Sequence, residues 1–309
     1  MPPVPEARPS TARLVLALAV GVLAVSFAAI FIRYARLASG SEQAAFSLLI
    51  AAGRMLVAAA ILTPVGLVQL RRERPPFQAV LLGVLAGAAL AAHFATWISS
   101  LAFTSVAAST AIVTTNPVWV SLAAWLFLRE RPRPQVLLGA GVALAGGLLI
   151  ALSDSSGGGS GSAPLLGDLL ALLGAFGASA YFLLGRSAQR AGLSLPAYSG
   201  LAYGVAAVLL LPAPLMAGVP YGPYPFAAYL WIALLGIVPQ VVGHTTFNWS
   251  VRYLDPAVVT MVILLEPVGS AAAALLLFRE FPGPLTLVGA AVILLGVLLA
   301  VRPQRVRPA

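Results

Sequence analysis

Two stretches that lie 150 positions apart decide the fold: TTNPVWVSLAAWLFLRE at residues 114–130 and LLEPVGSAAAALLLFRE at residues 264–280. Each has a proline near its start, continues as an apolar run and ends in Arg-Glu. The register continues further, because Gly139 and Gly146 each meet a glycine at the same offset. Chance pairing of hydrophobic residues gives Leu and Ala matches, but not Pro, Gly and Arg-Glu in one register. The pattern therefore indicates an internal repeat.

The composition indicates a membrane protein. Hydrophobic residues make up 60% of the 309 residues and charged residues only 9%, against roughly a quarter charged in a soluble domain. The mean hydropathy is +0.98. A soluble fold could not hide this much apolar surface and still cover itself with polar groups. We therefore predict an all-α protein with the lipid bilayer as its outer solvent.

A helix that crosses the bilayer needs about 20 apolar residues, and ten segments meet or approach that length. They are 13–32, 44–70, 77–98, 105–128, 134–152, 165–186, 196–217, 226–250, 256–278 and 284–302. Combined with the repeat, they predict one half at residues 1–152, a Gly/Ser linker at 153–163 and a second half at 164–303.

Each predicted half has five spans. Because five is odd, the two halves must enter the membrane in opposite orientations. Repeats of inverted topology place a solute site near the midplane, at the interface of the halves. We therefore expect a central cavity that is open to alternating access.

The positive charges predict the orientation. The net charge is +9, and all 18 basic residues are arginine, because the chain has no lysine. With both termini in the cytoplasm, fourteen of the 18 Arg residues lie at cytoplasmic span ends, three lie opposite, and Arg54 falls within a span. Such a bias is typical of a multi-pass protein of the plasma (inner) membrane with cytoplasmic termini. No basic, aromatic-bearing soluble stretch suggests nucleic-acid binding.

Four motifs resemble the EamA-type branch of the drug/metabolite transporter superfamily. They are Thr114 to Val120 running on to Glu130, Leu265 to Val268 running on to Glu280, Gly53-Arg-Met-Leu56 and Gly167-Asp-Leu-Leu170. The resemblance covers roughly residues 13–302. It implies ten helices with cytoplasmic termini, a central cavity, and secondary export of a small organic solute such as an amino acid, a metabolite or a drug-like compound.

Glu266 lies at mid-span and is followed by Pro267, which lacks the N–H that would bond the carbonyl of Ile263. Its repeat counterpart is Asn116, before Pro117. A carboxylate beside a broken helix suits a solute site or proton coupling. The alternative is a neutral carboxyl that hydrogen-bonds a neighbouring helix.

Arg54 is the other mid-span charge, and its guanidinium stays protonated. Charged groups at this depth cost several kcal/mol on insertion scales, so they usually face a cavity or a partner. Two interpretations stay open for Arg54. One is a structural salt bridge, for which Glu266 is a candidate, and the other is binding of an anionic solute group.

Polar residues at helical spacing predict further parts of the cavity lining. They are His93 and Trp97 in the third span, Thr114 in the fourth, Tyr181 in the sixth, and Gln240, His244 and Asn248 in the eighth. The alternative is hydrogen bonding between helices. Two isolated histidines without cysteines or nearby acids do not make a metal site, and no cofactor motif is present.

Three other functions stay open. A carrier of phosphorylated or nucleotide sugars would need several cations, and Arg54 is the only one at mid-span. An intramembrane enzyme would need paired acids or a nucleophile with a base, and Glu266 is the only mid-span acid. A scaffold or receptor without transport is the third. The sequence does not name the solute, the coupling ion or the oligomeric state.

Overall fold

The computed structural model describes residues 9–41, 43–104, 106–155, 162–278 and 283–301. Within these ranges the chain is helical with short connections and has no β-strand. Most of the predicted linker, at 156–161, lies outside the described residues, and so do Arg279, Glu280 and both ends of the chain. The all-α prediction is confirmed for the described part.

The helices follow one another as separate rods, several of them interrupted. They are α1 Thr11–Ser26, α2 Ala28–Ser39, α3 Phe46–Glu73, α4 Phe77–Ser100, α5 Val106–Val113, α6 Asn116–Leu128, α7 Pro134–Ser155, α8 Pro164–Arg190, α9 Leu195–Leu210, α10 Ala213–Met216, α11 Phe226–Leu235, a π-helical segment Gly236–His244, α12 Thr245–Ser250, α13 Pro256–Ile263, α14 Glu266–Phe278 and α15 Pro284–Val301.

Within the described ranges, seven stretches are long and apolar enough to cross a membrane. They are Thr11–Ser39, Phe46–Glu73, Phe77–Ser100, Pro164–Arg190, Leu195–Met216, Phe226–Ser250 and Pro256–Leu277. Shorter apolar helices cover Asn116–Phe127, Pro134–Leu149 and Leu287–Ala300. All of them fall on predicted segments. The chain is therefore multi-pass, and the full count of ten stays a prediction.

The first span runs beyond its predicted end at residue 32. A turn at Phe27 separates α1 from α2, and α2 continues to Ser39, where Gly40 adopts a left-handed conformation with φ 65°. Arg36 in the last turn donates from Nη1 to Ser47 Oγ at 3.1 Å. Cations are favourable at a helix C-terminus, so this arginine extends the helix and does not mark its end.

Glycines bring α7 and α15 into backbone contact. A Cβ on Gly139 would lie 2.5 Å from the carbonyl oxygen of Gly296, and one on Gly146 would lie 2.6 Å from that of Gly289. As the number rises along one helix it falls along the other, so the two helices are antiparallel. The repeat register pairs Gly139 with Gly289 and Gly146 with Gly296, so the two contacts are repeat equivalents of each other.

A second contact recurs in both halves. On α8, a Cβ at Gly174 would lie 3.0 Å from Cβ of Trp97 on α4. On α1, a Cβ at Gly21 would lie 2.6 Å from Cε1 of Phe247 on α12. Small residues allow helices to approach closely in membranes. The close approach turns Trp97 and Phe247, which are equivalent in the repeat, toward the same central space.

Candidate functional site

A central cavity of about 40 Å³ lies among α1–α6, α8, the end of the π-helical segment and α12–α14. Small-molecule sites commonly measure about 300–1,000 Å³, so the cavity is contracted in this structure and must widen to hold an organic solute. Seven of the predicted residues line it: Arg54, His93, Trp97, Thr114, Asn116, His244 and Glu266. Phe182 and Phe247 contribute aromatic side chains to the cavity lining. The cavity therefore combines a few polar groups with a largely apolar surface.

Tyr181, Gln240 and Asn248 were predicted at the cavity but do not belong to its lining. They are fully or almost fully buried behind the wall. Asn248 Nδ2 donates to the hydroxyl of Tyr181 at 2.5 Å and to that of Tyr203 at 3.3 Å. Tyr203 also contacts Thr245 Oγ1 at 3.1 Å. These residues form a hydrogen-bonded layer that supports the wall from outside.

Arg54 is 1% exposed and lies between two groups from other helices. Its Nε donates to Gln240 Oε1 at 2.8 Å, and its Cζ lies 3.9 Å from the ring centroid of Phe94. Nη1 is buried and has no hydrogen-bond partner among the described residues. No ion pair within 4.0 Å joins Arg54 to Glu266 there. Gln240, not Glu266, therefore positions the guanidinium.

Two helices break where they reach the cavity. α5 ends at Val113 and α6 begins at Asn116, while α13 ends at Ile263 and α14 begins at Glu266. Each new helix has its proline as the second residue, a position where no backbone N–H is needed. Pro117 and Pro267 therefore initiate helices and do not interrupt a continuous hydrogen-bond ladder.

The side chains that begin these two helices differ in their bonding. With the Asn116 amide oriented so that its nitrogen faces the neighbouring carbonyls, this nitrogen donates to the carbonyl of Val113 at 2.7 Å and to that of Ala175 at 3.2 Å. The Glu266 carboxylate faces the cavity and accepts no hydrogen bond from the described residues. The amide is thus committed to the fold, whereas the carboxylate is available to a proton or a cation.

The histidines occupy different environments. His93 Nδ1 lies 2.8 Å from the carbonyl oxygen of Gly174, which can only accept, so Nδ1 carries a hydrogen. The ring stacks on Trp97 with centroids 5.7 Å apart. His244 packs edge-on against Phe94 at 5.5 Å, and its Nδ1 is buried without a partner among the described residues. Those residues contain no group of three His, Cys, Asp or Glu that could hold a metal.

Several supporting residues carry no clear sequence signal. Tyr203 and Phe94 lie on apolar helices, where one more aromatic side chain looks like ordinary packing. The π-helical segment is also not visible in the pattern, although Pro239 within it marks an irregular helix. Thr114 was predicted and lines the cavity, and its hydroxyl also donates to the carbonyl of Thr110 at 2.7 Å.

Comparison with known proteins gives two related transporters. A "Probable terminal-alkyne amino-acid exporter" of Streptantibioticus cattleyicolor is 29% identical over 188 residues, which cover 61% of this chain and 61% of that protein. An "Uncharacterized transporter" of Archaeoglobus fulgidus is 25% identical over 227 residues, which cover 72% of this chain and 76% of that protein. The match with the exporter thus spans less than two thirds of its length.

The fold is found in a solved crystal structure that is 19% identical, with a TM-score of 0.74 over 94% of this chain and 97% of that one. The model of the EamA-like transporter family matches residues 13–152 and again residues 165–302. Two copies of one family unit therefore account for nearly the whole chain. The apolar helices, the duplicated unit and these relatives together show that the chain is a multi-pass membrane protein of the EamA-like transporter family, and both relatives are named as transporters, not as enzymes.

Proposed function

We propose that the chain is a secondary transporter that exports a small organic solute by alternating access. The observation that carries this proposal is the central cavity at which two repeat-equivalent helices break, with one carboxylate that accepts no hydrogen bond from the described residues. A solute site of this kind needs a water-excluding wall with a few polar groups. The described walls have that composition.

The proposed architecture has ten transmembrane helices in two inverted repeats, at residues 1–152 and 164–303. The antiparallel contact of α7 with α15 supports the inversion, because these helices are equivalent in the repeat. Two equivalent helices that run in opposite directions require that the copies do so too. The proposed location is the cytoplasmic membrane with both termini in the cytoplasm, in agreement with the arginine bias.

The proposed solutes are amino acids, metabolites or drug-like compounds with an apolar part. The aromatic wall suits such an apolar part, and one relative bears the name of an amino-acid exporter. We further propose that Glu266 takes up a proton or binds a cationic group of the solute. Its carboxylate faces the cavity without a competing hydrogen bond from the described residues.

Phosphorylated and nucleotide sugars receive less support as solutes. A phosphate group is usually held by several Arg or Lys donors. Among the residues that line the described cavity, Arg54 is the one permanent cation. The negative charge of a dianionic solute would therefore be only partly balanced here, in particular because Glu266 lies on the same wall.

Flux into liposomes tests the proposal. Purified protein is reconstituted and tested with labelled amino acids, amines and lipophilic cations, with and without a pH gradient. We expect gradient-dependent flux for the wild type and its loss in Glu266→Gln. Glu73→Gln makes the same change at the end of α3, far from the cavity, and should transport normally. Undiminished gradient-dependent flux in Glu266→Gln would remove Glu266 from the mechanism, and no flux for any solute would favour a scaffold.

The topology can be tested with single cysteines, because the chain has none of its own. Ser41→Cys lies between α2 and α3, and Pro75→Cys lies between α3 and α4. A membrane-impermeant maleimide added to intact cells should label Cys at position 41, and should label position 75 only after permeabilisation. The opposite labelling pattern would contradict cytoplasmic termini.

A further inference from the structure

Arg54 carries a charge that its surroundings only partly compensate. The side chain is 1% exposed, and the described residues give it one hydrogen bond and one aromatic face. A buried charge without a paired anion is strongly unfavourable. Glu266 does not form an ion pair with it within 4.0 Å. Glu266 lines the same cavity and compensates the guanidinium from a distance, which leaves Arg54 without an anion in contact within the described ranges.

Two more buried polar atoms, on residues near the guanidinium, lack partners in the described part of the chain. Gln240 commits its Oε1 to Arg54, which leaves Nε2 as a donor without a partner among the described residues. Nδ1 of His244 is also buried without a partner there, as a donor or an acceptor according to the tautomer of the ring. Both residues belong to the π-helical segment Gly236–His244, and wide turns of this type are frequent at functional sites. Together with Nη1 of Arg54, three buried polar atoms lack partners around one guanidinium.

We propose that Arg54, positioned by Gln240 and Phe94, binds the carboxylate of the transported solute. This inference rests on the proposed function and narrows its solutes to organic carboxylates. A planar guanidinium matches the two oxygens of a carboxylate. The apolar part of the solute then contacts Trp97 and Phe247, which line the same cavity.

A single guanidinium matches a monoanion better than a phosphate dianion. Glu266 on the cavity wall makes a second anionic group still less favourable and suits a solute that also carries a cation. Free chloride offers the same monoanionic chemistry as a solute carboxylate, so the experiment must separate the two sources.

Ligand binding to the full-length protein in detergent tests the proposal, with thermal shift and calorimetry as readouts. The probes are phenylalanine and leucine, their carboxamides phenylalaninamide and leucinamide, and 3-phenylpropanoate, with sodium chloride against sodium gluconate as the free-anion arm. We expect each carboxylate to bind about tenfold or more tightly than its carboxamide, and chloride to give no shift. Equal affinities within each pair, binding by none of the carboxylates, or a chloride shift as large as that of the amino acids would overturn the proposal.

Variants assign the discrimination to Arg54. Arg54→Gln should bring the affinities for carboxylate and carboxamide together, and Arg54→Lys should restore part of the difference. Arg13→Gln removes an exposed cation near the start of α1 and should leave the discrimination intact. If Arg54→Gln does not fold, the comparison of Arg54→Lys with the wild type decides. Discrimination unchanged in Arg54→Lys and Arg54→Gln would assign it to another residue.

The outcome also separates the two proposals. Transport of amines and carboxamides at the same rate as carboxylates would support the transporter function and contradict the proposed carboxylate site. The absence of transport for every solute in the liposome panel would instead remove the proposed function.

Discussion

The helix pair α5/α6 and the pair α13/α14 break at equivalent positions of the repeat, yet they treat the break differently. In the first pair, the Asn116 amide bonds the Val113 carbonyl, which is the acceptor that Pro117 cannot bond. In the second pair, Glu266 has the equivalent place and accepts no hydrogen bond from the described residues. The same backbone break therefore carries two different side chains. Asn116 bonds the open carbonyl, whereas the carboxylate of Glu266 is available to a ligand.

This difference separates structure from function within a duplicated unit. The equivalent backbone is kept in both copies, so the break itself belongs to the shared architecture. The side chain at its edge carries the asymmetry, because an amide cannot titrate and a carboxylate can. Substitutions at the two breaks should consequently affect different measurements.

The largest effect is expected when the two breaks are made alike in Glu266→Asn. Removing the only carboxylate from the described cavity lining should lower gradient-driven flux to about one-hundredth of wild type, or ~2.7 kcal/mol. The measurement is initial flux into liposomes at matched protein density, with Glu73→Gln as the control. Flux within a few-fold of wild type would mean that the carboxylate is not essential.

The second-largest effect is expected on stability, at the break between α5 and α6. Asn116→Leu leaves the carbonyls of Val113 and Ala175 without this donor, and we expect a loss of about 1–3 kcal/mol. The matched Glu266→Leu removes a carboxylate that lacks hydrogen bonds, so its stability should be equal or higher. Thermal unfolding in one detergent compares the two. A larger loss for Glu266→Leu would reverse the assignment of roles.

A smaller effect is expected from the prolines. Pro267→Ala supplies an N–H that can bond Ile263, which favours continuation of the helix and a displacement of Glu266. Pro117→Ala should matter less, because the Asn116 amide already occupies Val113. We expect flux to fall roughly threefold, or ~0.7 kcal/mol, for the first and to change little for the second. Equal flux in the two variants would show that the prolines act alike.

The smallest effect lies at the far end of α6. Glu130 pairs with Arg186 at 2.6 Å and with Arg190 at 3.1 Å. Burial raises the pKa of this carboxyl, but the hydrogen bonds and charges of the two arginines outweigh burial and lower the pKa overall. The lowered pKa favours the folded state at pH above the unfolded value of about 4.3, and this contribution is lost as the pH falls through the folded pKa.

Unfolding of Glu130→Gln against wild type measures that contribution. Because the carboxyl is partly exposed, we expect at most about 1 kcal/mol at neutral pH. The two midpoints should converge as the pH falls below about 4. A difference that stays constant down to the lowest pH would assign it to packing and not to charge.

Much of the fold follows from the sequence because lipid imposes a simple rule on length and hydropathy. The ten apolar segments and the glycine register of α7 and α15 are both visible in the printed chain. The end of the first span was placed too early, at residue 32, because arginine lowers hydropathy without ending a helix. The π-helical segment was missed, because the width of a turn depends on backbone packing that periodicity does not encode.

For the candidate site, the sequence predicts which polar residues lie within the membrane better than it predicts which way their side chains face. Arg54, Glu266 and the two histidines lie within the spans and face the cavity. The partner of Arg54 is Gln240, 186 positions away, and no local spacing relates the two. Tyr181 and Asn248 were predicted in the lining but bond each other behind it. Which side of a buried polar helix faces the solute depends on three-dimensional neighbours.

The glycine contact between α7 and α15 has a mechanical consequence. Any atom added at Gly139 or Gly146 would meet backbone of the other helix, so we expect the closely packed helices α7 and α15 to move as one unit. The flexibility that alternating access requires must therefore come from other parts of the molecule. The breaks α5/α6 and α13/α14 and the π-helical segment that ends at His244 all border the cavity, so we expect the chain to bend there when a solute passes.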